Sequence, residues 1–585
     1  MKDFVKMMLA TLAGLILFSV VWVLMMFSFI GSLASLSSDT PVVPKEGVLY
    51  MNMSNFVIAE KENPMDMTGL MQGNMTIKTL GLLNAIQALN IAAADPGVKF
   101  LYMRPDGVSA GIADIEELRR AILKFRESGK AVISFIENPS NASYYLASAA
   151  DKVYVTASKG GMNTVIGLSS QMFFLKDLLD KLGVNMQLIR HGKYKSAGER
   201  YVRSSSSEEN RRQTQAFVDA IWEAISGEIA QSRGITTDEL NSLIDNLSLC
   251  LPADFVEYGL ADATLTRQEL AGKLAVLAGV DSYDKVPMIP FAAYSKTHQK
   301  NNFRALNKIA IIYADGQIQD GNALTDISGD RFASIIETVR KDSTVKAVVL
   351  RVNSPGGSVV ASEKIKTELD LLGDDKLLVA SYGDYAASGG YWISNNAEKI
   401  YCSPTTITGS IGVFGMVPEF SGLIEDIAHI GVEAVSSNRH ADMYSLTRPF
   451  TEEETAYVQR SIESIYTKFI GIVADGRSMT PQQVDEIAQG RVWAGSDALE
   501  IGLVDEMGTL EDALHYAATA AGDSNLDNWN VVEYPKPLTV AEELAALFSN
   551  TEENDFSIYT RWYDNWKKGK VEVAFADMPY RLVIR

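Results

Sequence analysis

Short aliphatic runs alternate with helical stripes along most of the chain. "KAVVLRV" at 346–352 and "KLLVASY" at 376–382 are nearly unbroken and rich in β-branched or aliphatic residues. They lack the polar alternation of a half-exposed strand, so they predict strands buried on both faces. "IEELRRAILKFRES" at 115–128 and "SEKIKTELDLL" at 362–372 place apolar residues three and four apart, the spacing of one helix face. Strand followed by helix, again and again, predicts an α/β fold of βαβ units with a mostly parallel sheet.

The pattern also repeats on a larger scale. "VKFLYMRPDG" at 98–107 matches "VKAVVLRVNS" at 345–354 without a gap, and "LASAADKVYVTA" at 146–157 matches "ISNNAEKIYCSP" at 393–404 at the same spacing. "GVNMQLIRHG" at 183–192 lines up with "GVEAVSSNRH" at 431–440, and "ADFVEYGLAD" at 253–262 with "SDALEIGLVD" at 496–505. Four blocks in one order predict two tandem copies of one domain. The expected divisions are an N-terminal segment at 1–38, a first repeat at 39–300, a second at 301–524 and a tail at 525–585. The tail carries the aromatic stretch "IYTRWYDNW", suited to packing on the repeats or on a neighbouring subunit.

The N-terminal segment has its own pattern. Residues 7–38 carry no charge, and 7–30 form an apolar run, longer than the roughly 20 residues that span a bilayer. This predicts a transmembrane anchor, with cleavage near "SLASLSS" at 32–38 the lesser reading. Lys2 and Lys6 precede the run, while Asp39 comes before Lys45 after it. The positive-inside rule then puts the bulk of the chain outside the cytoplasm.

Composition narrows the function classes. Of 585 residues 47% are hydrophobic and the net charge is −20, a sizeable core without the basic footprint that nucleic acid requires. Cys250 and Cys402 are the two cysteines. They exclude a disulfide framework and a Cys/His metal site, and two free buried thiols are expected.

Two stretches invite chemistry. "LRVNSPGGSVVASEKI" at 350–365 reads as a buried strand, a Pro-Gly-Gly turn and a helix start. Bare N–H groups at such a place suit a developing oxyanion, although an ordinary turn has the same look. In "DYAASGGYW" at 384–392, Ser388 sits among small residues between a strand and a helix. That setting fits either a helix cap or an exposed nucleophile. A nucleophile needs a base. The histidines, His191, His298, His429, His440 and His515, lie in no catalytic-looking context. Lysine is the other choice if burial lowers its pKa. "RHGKYKSAGERY" at 190–201 offers Lys193 and Lys195, on one face if the segment is extended.

Taken together, "GKYKSAGE", "NSPGGSV", "DYAASGGYW" and "TGSIGVFG" resemble signal peptide peptidase A in its long, internally duplicated form. The resemblance implies a Clp protease/crotonase-like fold and a Ser–Lys dyad. Ser388 would be the nucleophile, Lys195 the general base and Ser410 the residue that orients the lysine. Gly356 and the Ser388 N–H would form the oxyanion hole. It further implies no metal or organic cofactor, a membrane-bound homotetramer, and released signal peptides or other hydrophobic peptides as substrates, cut on the extracytoplasmic side of a bacterial inner membrane. The copies are complementary. Asn141 stands where Ser388 would be in the first copy, and no lysine occurs from Gly431 to Thr467 in the second. A non-catalytic scaffold and acyl-CoA chemistry of the crotonase type are the competing readings.

Overall fold

The computed structural model describes residues 43–62, 78–158, 160–299, 301–324, 326–537 and 575–578, with isolated helical positions at 14, 17, 18 and 21. The apolar run at 7–30 thus lies almost wholly outside the described residues, among which no helix is long and apolar enough to cross a membrane.

Each repeat builds one sheet. In the first, the strand order is Ala263–Leu265, Lys152–Thr156, Val132–Ile136, Val98–Arg104, Gly47–Asn52 and Met288–Pro290, parallel throughout. In the second it is Val492–Ala494, Ile407–Gly409, Leu377–Ala387, Val345–Ser354, Lys308–Asp315 and Asn530–Tyr534. There only the edge strand Val492–Ala494 runs antiparallel to its neighbour. The predicted strands "KAVVLRV" and "KLLVASY" are the two central ones, buried as their composition requires. The predicted helical stripes form Ile112–Glu127 and Val359–Asp375, and each buries the side that carries its apolar residues.

The edge strands refine the expected divisions. Met288–Pro290 closes the first sheet and Asn530–Tyr534 closes the second. The second repeat therefore continues past residue 524 into what the sequence alone marks as tail. One aligned block diverges in structure. Residues 185–191 form a strand, whereas 431–440 are exposed and irregular.

That divergent strand helps build a third sheet, to which both repeats and the tail contribute. Its order is Ile327–Ser328, Ile318–Gln319, Gly356–Ser358, Phe575–Asp577, Val413–Glu419 and Asn185–His191. Asn185–His191 of the first repeat pairs antiparallel with Val413–Glu419 of the second over seven residues. This pairing carries the chain just beyond His191 into the second repeat.

Candidate active site

The strand Leu377–Ala387 ends at Ser388, and the helix Gly389–Ser394 starts immediately after it. The turn is tight enough to force Ser388 to φ 55° and ψ −113°, a conformation that costs a non-glycine residue of order 1–3 kcal/mol. Its N–H donates to the Gly409 carbonyl at 2.8 Å and its carbonyl accepts from the Trp392 N–H at 2.8 Å. With the backbone pinned on both sides, the side chain is left to point elsewhere and makes no helix-capping bond.

It points at Lys195. The lysine Nζ lies 2.7 Å from Ser388 Oγ, 3.0 Å from Ser410 Oγ and 3.1 Å from the Ser410 carbonyl. All three side chains are buried. Ser410 also has a positive φ, 51°, and its N–H donates to the Arg491 carbonyl at 2.7 Å. The sequence-predicted trio is therefore one hydrogen-bonded cluster. No histidine takes part; His191 instead stacks on Tyr466, with ring centroids 3.9 Å apart.

The segment that carries Lys195 is not extended. It turns at Lys193 and Tyr194, so Lys193 is exposed and Lys195 buried. Second-repeat residues hold this turn. The Tyr194 N–H donates to the Gln489 carbonyl at 2.9 Å. Gln213 joins both sides, donating to the Tyr194 carbonyl at 3.0 Å and accepting from the Val492 N–H at 3.2 Å. Arg190 Nη1 donates to the Lys195 carbonyl at 2.7 Å. Gly490, at φ 75°, admits the lysine: a Cβ there would fall 2.5 Å from the Lys195 Cβ. Burial pulls the Lys195 pKa down to about 7, against an opposing push from the Asp577 carboxylate. Removing an ammonium from water disfavours its charged form.

Gly356 lies beside the serine as expected. A Cβ there, at φ 104°, would sit 2.6 Å from the Gly389 nitrogen and 3.0 Å from the Ser388 Cβ. The expected partner N–H needs correction. The Ser388 N–H is engaged by Gly409, and the next one along, that of Gly389, faces the bare side of Gly356. The cysteines also need correction. Both are free, but only Cys402 is buried; Cys250 is exposed.

One part of the site's surroundings was not foreseen. Behind the two central strands, Arg351 is fully buried between the repeats. Its guanidinium meets Glu60 and Glu117 at 2.7 Å each and Asp114 at 3.3 Å, all from the first repeat. Asp384, four residues before Ser388, accepts from the Ala113 N–H at 2.8 Å, also across the junction. Burial pushes the Asp384 carboxyl up. The one signal in the sequence was an arginine inside an otherwise apolar strand run.

A strained serine touching a buried lysine at the junction of two α/β repeats is an arrangement suited to acyl transfer by a serine peptidase. Comparison with known proteins agrees. The profile of peptidase family S49 matches residues 124–281 and 371–523, one segment in each repeat. The chain is 33% identical to "Protease 4" of Haemophilus influenzae, over 83% of this chain and 81% of that one. It is 38% identical to "Protease 4" of Salmonella typhi over 72% and 68%, and 32% identical to "Serine protease SPPA, chloroplastic" of Arabidopsis thaliana over 77% and 67%. Among solved structures, a mutant ClpP1 from Listeria monocytogenes matches 35% of this chain and 94% of its own at 14% identity, with a TM-score of 0.23. The chain belongs to peptidase family S49, in its duplicated form, and is a serine peptidase.

Proposed function

We propose that this chain is a membrane-anchored endopeptidase that cuts extended hydrophobic peptides, released signal peptides among them, through a Ser388–Lys195 dyad. The carrying observation is the 2.7 Å separation of Lys195 Nζ and Ser388 Oγ. A neutral amine has two N–H bonds and one lone pair. Ser410 offers two acceptors, its carbonyl and its hydroxyl. With both N–H bonds directed there, the lone pair faces the Ser388 hydroxyl. Lys195 then takes the Ser388 proton as Oγ attacks the scissile carbonyl carbon. The developing oxyanion is received by the N–H groups of Gly356 and Gly389. The C–N bond breaks as Lys195 gives its proton to the leaving amine. Water, deprotonated by the same lysine, releases the acyl group and restores the serine.

The substrate enters as a strand, because the glycine edge at Gly356–Ser358 takes an antiparallel partner and specificity beyond backbone pairing comes from alternate side chains. The anchor at 7–30 would hold the site near the membrane where such peptides are released, with the repeats on the extracytoplasmic side. A homotetrameric ring would keep folded proteins away from it. The scaffold reading is disfavoured by the complementarity of the repeats, since each supplies what the other lacks.

A synthetic signal peptide digested with the purified chain and read by mass spectrometry tests this reading. Internal fragments formed by the wild type and absent with Ser388→Ala are expected. An intact peptide with a folded wild-type chain would overturn it.

A further inference from the structure

The third sheet contains a strand that belongs to neither repeat. Phe575–Asp577 lies between the glycine edge and Val413–Glu419, pairing antiparallel with both. The register sets Asp577 against Gly356, Ala576 against Gly357 and Phe575 against Ser358, with Phe575 also opposite Phe414. This is the place an extended substrate must occupy to reach Ser388.

The contacts are those of a bound peptide. The Ala576 carbonyl oxygen falls 2.1 Å from where a Gly356 Cβ would be and 3.2 Å from where a Gly389 Cβ would be, between the two glycines assigned to the oxyanion. Ala576 is fully buried, so this position admits a small side chain. Met578 packs into a cluster with Ala387, Ile407 and Val492. Asp577 accepts from Gln317 Nε2 at 3.1 Å, and its negative charge acts on Lys195. An anion there favours the ammonium, the form that cannot accept the serine proton. The other charges near this lysine belong to Arg190 and Glu199, paired at 3.1 Å, and to Arg491, which lies over Tyr194 and Trp493.

We propose that Phe575–Asp577 is a tethered occupant of the substrate cleft, an autoinhibitory strand that an incoming peptide must displace. The inference rests on the Ser388–Lys195 reading of the site. Covalent attachment lets the strand compete at a fixed effective concentration, whatever the enzyme concentration. It raises the apparent KM for peptides without changing the chemistry that follows displacement.

The test uses the full-length chain. Ala576→Arg places a side chain too large for a fully buried position, and Ala576→Pro removes the strand's central N–H. Binding of a fluorescent extended peptide is measured on the Ser388→Ala background, where nothing is cut, with each of these changes and without. At least a fivefold fall in Kd for both variants is expected, together with competitive inhibition by a free peptide of sequence VEVAFADM. Equal Kd values across the three chains would overturn the proposal. Asp577→Asn gives an independent readout: the acid limb of kcat/KM should move to lower pH, because the charge that favours protonated Lys195 is gone. An unmoved limb would contradict the charge contact. Hydrolysis by the Ser388→Ala chain itself would instead refute the catalytic reading, so the two failures are distinguishable.

Discussion

The turn after the central strand exists twice in this chain, and its two versions do opposite work. In the first repeat Asn141 occupies the position of Ser388. Its side chain accepts from the Ile166 and Gly167 N–H groups at 3.1 and 3.2 Å and donates to the Gly167 carbonyl at 2.9 Å. Ser140 before it caps the following helix in a reciprocal pair with Ser143. Every polar group there is spent on holding the turn. In the second repeat backbone bonds alone hold the turn, Ser388 is strained, and its hydroxyl is free to face a lysine from the other copy. The arginines diverge in parallel. Arg104 pairs with Glu137 of its own repeat and stays partly exposed, whereas its counterpart Arg351 is buried among carboxylates of the other repeat. Duplication has thus left one repeat as a support and made the other dependent on it.

The largest effect should come from separating the dyad. Ser388→Ala or Lys195→Ala should each lower kcat by roughly 10⁶-fold, as loss of a nucleophile or its base does in triad enzymes, with no further loss in the double variant. Steady-state assays of the three folded proteins check this, and additive losses would mean the residues do not act as a unit. Arg351→Ala should come next. It leaves several buried carboxylates without their cation, at about 3–5 kcal/mol of stability. Denaturant unfolding read against Arg351→Lys, which keeps the charge, would show whether the charge or the packing matters more.

Activity should follow the lysine proton. With the Lys195 pKa lowered to about 7 by burial, the ammonium dominates below that pH and the neutral base above it. The rate of hydrolysis should therefore rise through about pH 7 and level off; a flat profile in folded protein would exclude a lysine base. Ser410→Ala removes one of two hydrogen bonds to Nζ, about 1 kcal/mol or roughly a fivefold loss of rate. The smallest effect belongs to Asn141→Ser. Restoring a serine to the first repeat should create no second site, because no lysine faces it. Activity in an Asn141→Ser, Ser388→Ala chain would break the comparison.

Much of this was legible before any coordinates. Buried strands announce themselves by continuous aliphatic runs, and helices by spacing, because both reflect which face meets the core. Ser388, Lys195, Ser410 and Gly356 stand in short motifs that survive as local geometry. What escaped was non-local. The cross-repeat pairing of Asn185–His191 and the seating of Phe575–Asp577 depend on partners more than a hundred residues away. The Ser388 N–H was assigned to the oxyanion because the sequence does not reveal that Gly409 already takes it. Arg351 looked like one more charge until its strand proved to be central.

The account stands or falls on one serine in the second repeat being activated by one lysine in the first. A fluorophosphonate, which reacts with an activated serine hydroxyl, tests this directly. The label should map by mass spectrometry to Ser388 alone, and its rate of attachment should collapse in Lys195→Ala. Label on another serine, or an unchanged rate without Lys195, would contradict it.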